Sequence, residues 1–173
     1  TVNVGAARPE EYGDYFAWGE TEPKMEYSWA TYKYCNGSDD SMTKYCNKSR
    51  YGYNGFTDSK TVLDPDDDAA HVNWGGSWRI PTAEEHDELR NTDNCSWVWT
   101  TLHGAAGYKV QSKKPGYTDN WIFLPAAGYH YESTQDHVGS IGHYWTSSFY
   151  TESPRREYDL SFSPSDVSRL RSY

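Results

Sequence analysis

The sequence predicts an α+β domain in which two short helices and a small antiparallel sheet are joined by long irregular loops. Two helix-start signals, at residues 64–68 and 82–85, lie in the middle of the chain. Six short strand candidates, separated by Gly, Pro, Asn and Asp turns, follow the second signal. The order is therefore strand, long loop, two helices and many short strands, which is typical of α+β domains. A length of 173 residues fits one domain, residues 1–173.

The composition indicates a core built from aromatic side chains. Hydrophobic residues make up only 36% of the chain, yet 17% of all residues are aromatic, with 16 Tyr and 8 Trp. When Tyr and Trp are buried, their hydroxyl and indole groups need hydrogen-bond partners. Disordered chains are poor in aromatic residues, so this composition argues against disorder.

The first third of the chain carries few regular signals. Residues 1–20 predict short strands broken by a turn at residues 8–11, with an apolar run at residues 15–18 that must be covered. Residues 21–62 are rich in Tyr, Ser, Asn, Gly and Lys and show no sustained period. We expect residues 21–62 to form a long irregular insertion that is held by its aromatic side chains.

The acidic run at residues 64–68 suggests either a calcium site or a helix start. The calcium pattern of helix-loop-helix proteins fails, because Ala69 stands where its Gly is needed and Gly75 where its Glu is needed. Asp64 as the N-cap, Pro65 at the first helical position and acids in the first turn form a favourable helix start. The sequence therefore favours a helix start over a metal site, with a calcium site of non-standard spacing as the alternative.

The second helix start is a capping box at residues 82–85, directly after a proline. We expect this helix to end near Arg90. Ala83, His86 and Leu89 share one face of it, so His86 is predicted to be a partly buried packing residue. The sequence offers no partner that would make a lone histidine here catalytic.

The strand candidates follow this helix. In the penultimate candidate Tyr158, Leu160 and Phe162 alternate with Asp159, Ser161 and other polar residues, which predicts a strand with a dry side and a wet side. The alternation favours core packing for its aromatic residues. The candidates are residues 97–101, 108–112, 121–124, 144–148, 158–162 and 167–170.

The charge distribution limits the choice of partners. The net charge is −9, and residues 139–173 hold equal numbers of acids and bases, so the first 138 residues carry the whole acidic excess. An acidic body argues against nucleic acid as the main partner. No segment resembles a membrane span or a signal peptide, so we expect no direct insertion into a membrane.

Three cysteines do not form a disulfide framework. Cys35 and Cys46 flank a loop that a disulfide bond would close, but the odd count and the absence of a C-x-x-C motif leave the redox state open. Reduced thiols and one incidental bridge both agree with the three cysteines, Cys35, Cys46 and Cys95.

Residues 139–173 combine aromatic, Arg and Ser side chains in proportions typical of recognition surfaces. We interpret this segment as a binding surface for a protein or glycan, and not as a reaction centre. No cofactor is predicted. The candidate ligand-binding residues are His143, Tyr144, Phe149, Tyr150, Glu152, Arg155, Arg156, Tyr158, Asp159, Ser161, Ser163, Ser168 and Arg169.

Four ordered motifs resemble those of one protein family. They are residues 12–20 (YGDYFAWGE), 69–82 (AAHVNWGGSWRIPT), 122–129 (IFLPAAGY) and 142–148 (GHYWTSS). Together they resemble the Fibrobacter succinogenes major paralogous domain, a family abundant in gut Bacteroidetes. The resemblance implies a C-type lectin-like fold and an extracellular or cell-surface location, with a lipid anchor in a segment before Thr1 as one route to the surface.

The resemblance also extends to the variable proteins of diversity-generating retroelements. In those proteins variable side chains follow a stretch similar to residues 145–148, which implies that residues 139–173 form a hypervariable binding surface. Family members usually continue beyond a point like Tyr173 and begin one strand before Thr1, so both ends look clipped. The sugar-binding signatures of calcium-dependent lectins are absent, so the fold does not imply carbohydrate binding.

Two other functions remain open. Formylglycine-generating enzymes share the lectin-like fold and carry a stretch similar to residues 79–85, but their chemistry needs a late pair of thiolates, and no cysteine follows Cys95. No other catalytic motif replaces that pair. An adhesin or assembly subunit completed by a strand from another chain is the second alternative, because an open sheet edge accepts such a strand.

Overall fold

The computed structural model describes residues 1–172 and confirms an α+β chain with two short helices and small antiparallel sheets. The elements are α1 (Ala69–Trp74), α2 (Ala83–Arg90), β1 (Cys95–Leu102), β2 (Ala105–Ser112), β3 (Trp121–Pro125), β4 (Tyr129–Tyr131), β5 (Thr134–Asp136), β6 (Gly142–Trp145), β7 (Glu157–Ser163) and β8 (Asp166–Ser172). β1, β2 and β3 form one antiparallel sheet, β4 and β5 form a hairpin, and β6, β7 and β8 form a second antiparallel sheet with β7 in the middle.

Each of the six predicted strands overlaps an observed strand, with shifted ends. The candidate at residues 144–148 already ends at Trp145, because the backbone then turns to other segments: the Ser147 N–H donates to the Pro81 carbonyl at 2.8 Å. The hairpin of β4 and β5 is absent from the predicted strands. Its runs of three residues are too short to show an alternating pattern.

The short strands predicted within residues 1–20 are wrong. This segment forms turns, and its backbone bonds locally, as from the Asp14 N–H to the Val4 carbonyl at 2.8 Å. Gly13 has a φ of 72°, and a Cβ there would lie 2.4 Å from the Val4 carbonyl oxygen, so the turn requires glycine. Trp18 is buried, and its indole N–H donates to the Thr146 carbonyl at 2.7 Å.

The first helix begins four residues later than predicted, and Asp64 does not cap it. Asp64 precedes a 3-10 turn, Pro65–Asp67, without a side-chain cap, and its carboxylate pairs with Lys44 at 2.7 Å. Asp68 is the N-cap of α1, where its side chain accepts the His71 N–H at 3.0 Å. The proline-led turn therefore comes before the helix instead of forming its first turn.

Asp67 is the acidic residue that points into the interior. Its carboxylate accepts hydrogen bonds from the hydroxyl groups of Tyr34 and Tyr45 and from the ammonium group of Lys44. Burial opposes ionisation of Asp67, but these donors outweigh it and hold its pKa below the usual value. The contacts fasten residues 34–45 to the start of the helical region.

Residues 21–62 contain no helix or strand longer than a 3-10 turn or a single bridge. The 3-10 turns are Ser49–Tyr51 and Tyr53–Gly55. Tyr34 and Tyr45 pack against Trp18, and all three are buried. Aromatic side chains thus connect this segment to the rest of the chain.

The capping box of α2 is confirmed. The Glu85 N–H donates to Thr82 Oγ1 at 3.3 Å, and the Thr82 N–H donates to Glu85 Oε2 at 2.8 Å. Two bonds from the Arg79 guanidinium, together with the Thr82 N–H, lower the pKa of Glu85 to about 2. His86 packs inward as predicted but is more completely buried, with 5% of its surface exposed.

Two aromatic clusters form the core. The first joins the N-terminal third to the segment after β6, and the second lies between the two three-stranded sheets. Edge-to-face contacts dominate both, for example Trp18 with Tyr45 and Tyr108 with Phe162. The buried members are Trp18, Tyr34, Tyr45, Leu63 and Phe149 in the first cluster, and Tyr108, Val110, Ala126, Leu160 and Phe162 in the second.

The prediction of a dry and a wet side is wrong for β7. Leu160 and Phe162 are buried as expected, but Asp159 and Ser161 on the opposite face are also buried, with 1% and 7% of their surfaces exposed. Strand order covers only the edges of β7; the Asp159 carboxylate is covered by side chains of the neighbouring strands, with His143 Nδ1 of β6 at 2.6 Å and Ser172 Oγ of β8 at 3.1 Å. Alternating polarity here marks a buried polar layer and not a solvated face.

Neither α1 nor α2, nor any other helix within residues 1–172, is long and apolar enough to cross a bilayer.

Candidate functional site

The loop of residues 146–156 connects β6 to β7 and is firmly held at its start. The Ser147 N–H donates to the Pro81 carbonyl, and the Phe149 N–H donates to the Thr61 carbonyl at 2.9 Å. Phe149 is buried in the first aromatic cluster. The loop therefore presents the side chains after Phe149 from a fixed base, beside the edge strand β8.

Four side chains from this loop, β7 and β8 form a cluster that we call the Arg–Tyr ladder: Arg169, Tyr158, Tyr150 and Arg171. The two tyrosine rings meet edge to face with their centroids 5.1 Å apart. The Arg171 guanidinium lies 4.8 Å from the Tyr150 centroid, and that of Arg169 lies 4.9 Å from the Tyr158 centroid. Tyr158 and Arg171 are cross-strand partners, so the β7–β8 register fixes the arrangement.

A second cluster, the flanking group, consists of Asp39, Arg50, Tyr51 and Arg155. The guanidinium carbons of Arg50 and Arg155 lie 4.7 Å and 4.9 Å from the Tyr51 centroid. Arg155 also donates to Asp39 at 2.7 Å. Guanidinium groups over aromatic rings keep their N–H edges available for carboxylates, which suits both clusters to recognition.

Backbone contacts hold the flanking group beside the ladder. The Asn47 side chain donates to the Thr151 carbonyl at 2.8 Å, and Lys48 Nζ donates to the Glu152 carbonyl. Residues 47–51 are thus attached to the same loop that carries Tyr150. Ladder and flanking group form one surface around residues 150–155.

A buried carboxyl group lies behind the ladder. Glu157 is only 7% exposed, and its Oε2 accepts the backbone N–H of Tyr150 at 2.8 Å. Burial raises the pKa of Glu157 well above its usual range, because the carboxylate form loses its hydration; the Tyr150 N–H opposes this effect. The protonation state of Glu157 is therefore coupled to the position of the loop.

The structure brings six of the predicted ligand-binding residues to this surface or to the loop that carries it. Arg155 and Arg156 are half-buried, and both make contacts within the protein. Arg169 is held by Asp87 of α2 at 2.6 Å. Ser168 pairs with Ser161 and therefore lies on the opposite face of the sheet. The six are Tyr150, Glu152, Arg155, Arg156, Tyr158 and Arg169.

Three predicted residues are buried instead. Phe149 is 3% exposed in the first aromatic cluster, and Asp159 and Ser161 lie on the covered face of β7. Phe149 is held by core packing, and the Asp159 carboxylate is enclosed by contacts with His143 and Ser172. Ser163 is half-buried at the far end of β7, away from the ladder.

His143 and Tyr144 of β6 serve internal contacts. His143 Nδ1 lies 2.6 Å from Asp159 Oδ2, and Ser172 Oγ donates to Asp159 Oδ1 at 3.1 Å. The serine hydroxyl thus bonds the carboxylate and not the imidazole, which differs from a nucleophilic triad. Tyr144 donates to the Pro125 carbonyl at 2.7 Å and so connects β6 to β3.

Sequence reasoning missed the flanking residues outside the last third, Asp39, Arg50 and Tyr51. Nothing in the sequence places the insertion next to residues 150–155. The Arg50-Tyr51 dipeptide, next to Lys48, was the available signal, since Arg and Tyr are the side chains preferred at binding surfaces.

Within residues 1–172 no cluster of three or more His, Cys, Asp or Glu side chains is arranged to hold a metal ion. The acidic run is engaged by lysines, with Asp64 bound to Lys44 and Lys60 at 2.7 Å each. All three cysteines are free thiols, so the bridge between Cys35 and Cys46 is not formed.

Comparison of the chain with protein families, with curated proteins and with solved structures gave no match. The geometry of the site therefore carries the functional argument.

Proposed function

We propose that the chain is a non-catalytic ligand-binding module, secreted or displayed at the cell surface, that binds through the Arg–Tyr ladder and the flanking group. The observation that carries this proposal is the stacking of Arg171 on Tyr150 and of Arg169 on Tyr158. Tyr and Arg dominate binding energy at protein interfaces because they combine large contact area with directional hydrogen bonds. Here they are pre-ordered, so binding costs little side-chain entropy.

The site chemistry favours binding over catalysis. The ladder contains cations and phenols. Asp87, the acid bonded to Arg169, is engaged in that ion pair, and Glu157 is buried behind the loop and accepts a backbone N–H. General acid–base chemistry needs a titratable group within reach of a substrate, and Glu157 does not offer its carboxyl group to the surface.

We further propose a C-type lectin-like fold of the Fibrobacter succinogenes major paralogous domain type. Its support is that the four sequence motifs meet around residues 142–148. Trp18 bonds the Thr146 carbonyl, Ser147 bonds Pro81, and Tyr144 bonds Pro125. Motifs that bond to one another across the chain are expected of a family that shares a scaffold.

In this proposal residues 139–173 are the hypervariable part of a retroelement-diversified protein. Its support is the separation of scaffold from surface, since Phe149, Leu160 and Phe162 are buried while the ladder residues are open or half-open to solvent. A genomic template repeat that differs from this segment at adenines would establish the variability, and an invariant segment among natural copies would refute it.

The binding function is tested in two steps. A glycan and protein array first identifies a ligand for the unmodified chain. Alanine substitution of Tyr150, Arg155 and Arg156 together should then abolish binding to that ligand, because it removes side chains from both clusters. Unchanged binding would refute the location of the site.

A further inference from the structure

The Arg–Tyr ladder and the flanking group form a cationic region on an acidic chain. The net charge is −9, yet four of the eight arginines belong to these two clusters. Two carboxylates are paired with them, Asp39 with Arg155 and Asp87 with Arg169, and Glu152 is exposed in the loop. The four arginines are Arg50, Arg155, Arg169 and Arg171. Such a local sign reversal attracts an anionic partner and repels it elsewhere.

Two guanidinium groups on this surface already bind carboxylates. Arg155 donates to Asp39 at 2.7 Å, and Arg169 donates to Asp87 at 2.6 Å. Each of these arginines also lies over a tyrosine ring. The surface therefore shows, twice, a guanidinium that is held by an aromatic ring and bonded to a carboxylate.

Arg171 and Arg50 repeat the aromatic half of this arrangement without the carboxylate. Arg171 lies over Tyr150 and Arg50 over Tyr51, both arginines are exposed, and neither is within ion-pair distance of a carboxylate in residues 1–172. A guanidinium with its planar N–H edge oriented by a ring is suited to bidentate bonding of a carboxylate. A carboxylate from another molecule would complete the pattern.

We propose that the ligand is a short acidic segment of another protein, with an Asp or Glu carboxylate bound by Arg171. This inference rests on the proposed binding function. A short peptide fits better than a long sulfated glycan, because the carboxylates of Asp39, Asp87 and Glu152 lie among the arginines and repel an extended polyanion. Tyr anchors flanked by Ser are moreover typical of surfaces that recognise proteins.

The test uses three labelled probes: hexaglutamate, hexalysine and a heparin hexasaccharide. Fluorescence anisotropy at low ionic strength measures their binding to the unmodified chain and to the Arg171→Ala and Arg171→Lys variants. We expect hexaglutamate to bind and hexalysine not to bind this surface. Arg171→Ala should weaken hexaglutamate binding about tenfold, and Arg171→Lys should restore only part of it, since Lys keeps the charge but not the planar fork.

The matched control is Arg8→Ala. Arg8 lies outside the surface, and its side chain is 68% exposed to solvent. This variant should leave hexaglutamate binding unchanged, and equal loss in both variants would overturn the assignment to Arg171. Tighter, Arg171-dependent binding of the heparin hexasaccharide would overturn the choice of a peptide. If hexaglutamate does not bind but binding of an array ligand still requires Tyr150, Arg155 and Arg156, this inference is overturned and the proposed function stands. If binding of the array ligand does not require these residues either, the proposed function also fails.

Discussion

The backbone N–H of Tyr150 donates to the buried carboxyl group of Glu157 at 2.8 Å, so a titratable group lies directly behind the proposed binding surface. The bond ties the loop that carries Tyr150 to the first residue of β7. Any change in the charge of Glu157 therefore acts on the backbone of Tyr150, a member of the ladder.

Glu157→Gln should change how stability depends on pH. Burial raises the pKa of Glu157 in the folded state, so the folded chain holds this proton more tightly than the unfolded chain. The stability that the proton provides is complete below about pH 4.5 and is lost as pH rises toward the folded pKa, with about 1.4 kcal/mol for each unit of the shift. Urea unfolding at a series of pH values should show that, above pH 4.5, the free energy of unfolding of the variant rises relative to that of the parent chain. A constant difference between the two chains would contradict this account.

His86→Phe should protect the chain against acid. Burial lowers the pKa of His86 from 6.5 to about 4, and its Nδ1 lacks a hydrogen-bond partner within residues 1–172. The folded state binds this proton less readily than the unfolded state, so stability falls by roughly 3 kcal/mol as pH drops from 6.5 to 4. Unfolding free energies should show that loss in the parent chain and a smaller one in the variant. The control is His103→Asn, at an exposed turn. This variant should lose as much unfolding free energy in acid as the parent chain.

Gly142→Ala should destabilise the second sheet. A Cβ at Gly142 would lie 2.1 Å from the ring of Phe162, which is 1% exposed and cannot move into solvent. We expect a loss of about 3 kcal/mol in the free energy of unfolding. Phe162→Leu, which removes the clash, supplies the control: the double variant should lose less than the sum of the two single losses. Additive losses would show that this contact does not require the glycine.

Calcium chelation should leave the melting temperature unchanged. The carboxylates of Asp64 and Asp67 are bound to Lys44, and Asp68 caps α1. These groups are already neutralised or engaged, and a cation would have to displace the lysine ammonium group. Thermal unfolding with and without EDTA measures the effect, and a large fall in the melting temperature would reveal a calcium site that this geometry does not suggest.

Local signals were sufficient for the elements with short-range causes. The capping box at Thr82 and Glu85 predicted α2, and turn residues predicted the approximate positions of six strands. Long-range contacts explain the errors. Asp159 and Ser161 alternate like surface residues but are buried, and the Asp159 carboxylate contacts His143 and Ser172, which lie on the two neighbouring strands.

The candidate site was predicted only where it is continuous in sequence. Tyr150, Arg155 and Arg169 lie in the segment that the sequence singled out. Tyr51 and Asp39 reach the same surface through bonds such as that from Asn47 to Thr151, and no local pattern encodes such a contact. The burial of Phe149 depends likewise on a cluster assembled from distant residues.

The most direct test of the binding surface is the triple alanine variant of Tyr150, Arg155 and Arg156, compared with a matched variant of Tyr117, Arg8 and Arg79 outside that surface. Surface plasmon resonance with the array ligand measures the affinity, and circular dichroism measures the melting temperature. We predict that the first variant loses binding more than a hundredfold while most of the protein remains folded, and that the matched variant binds normally. Equal affinity in both variants would contradict the account.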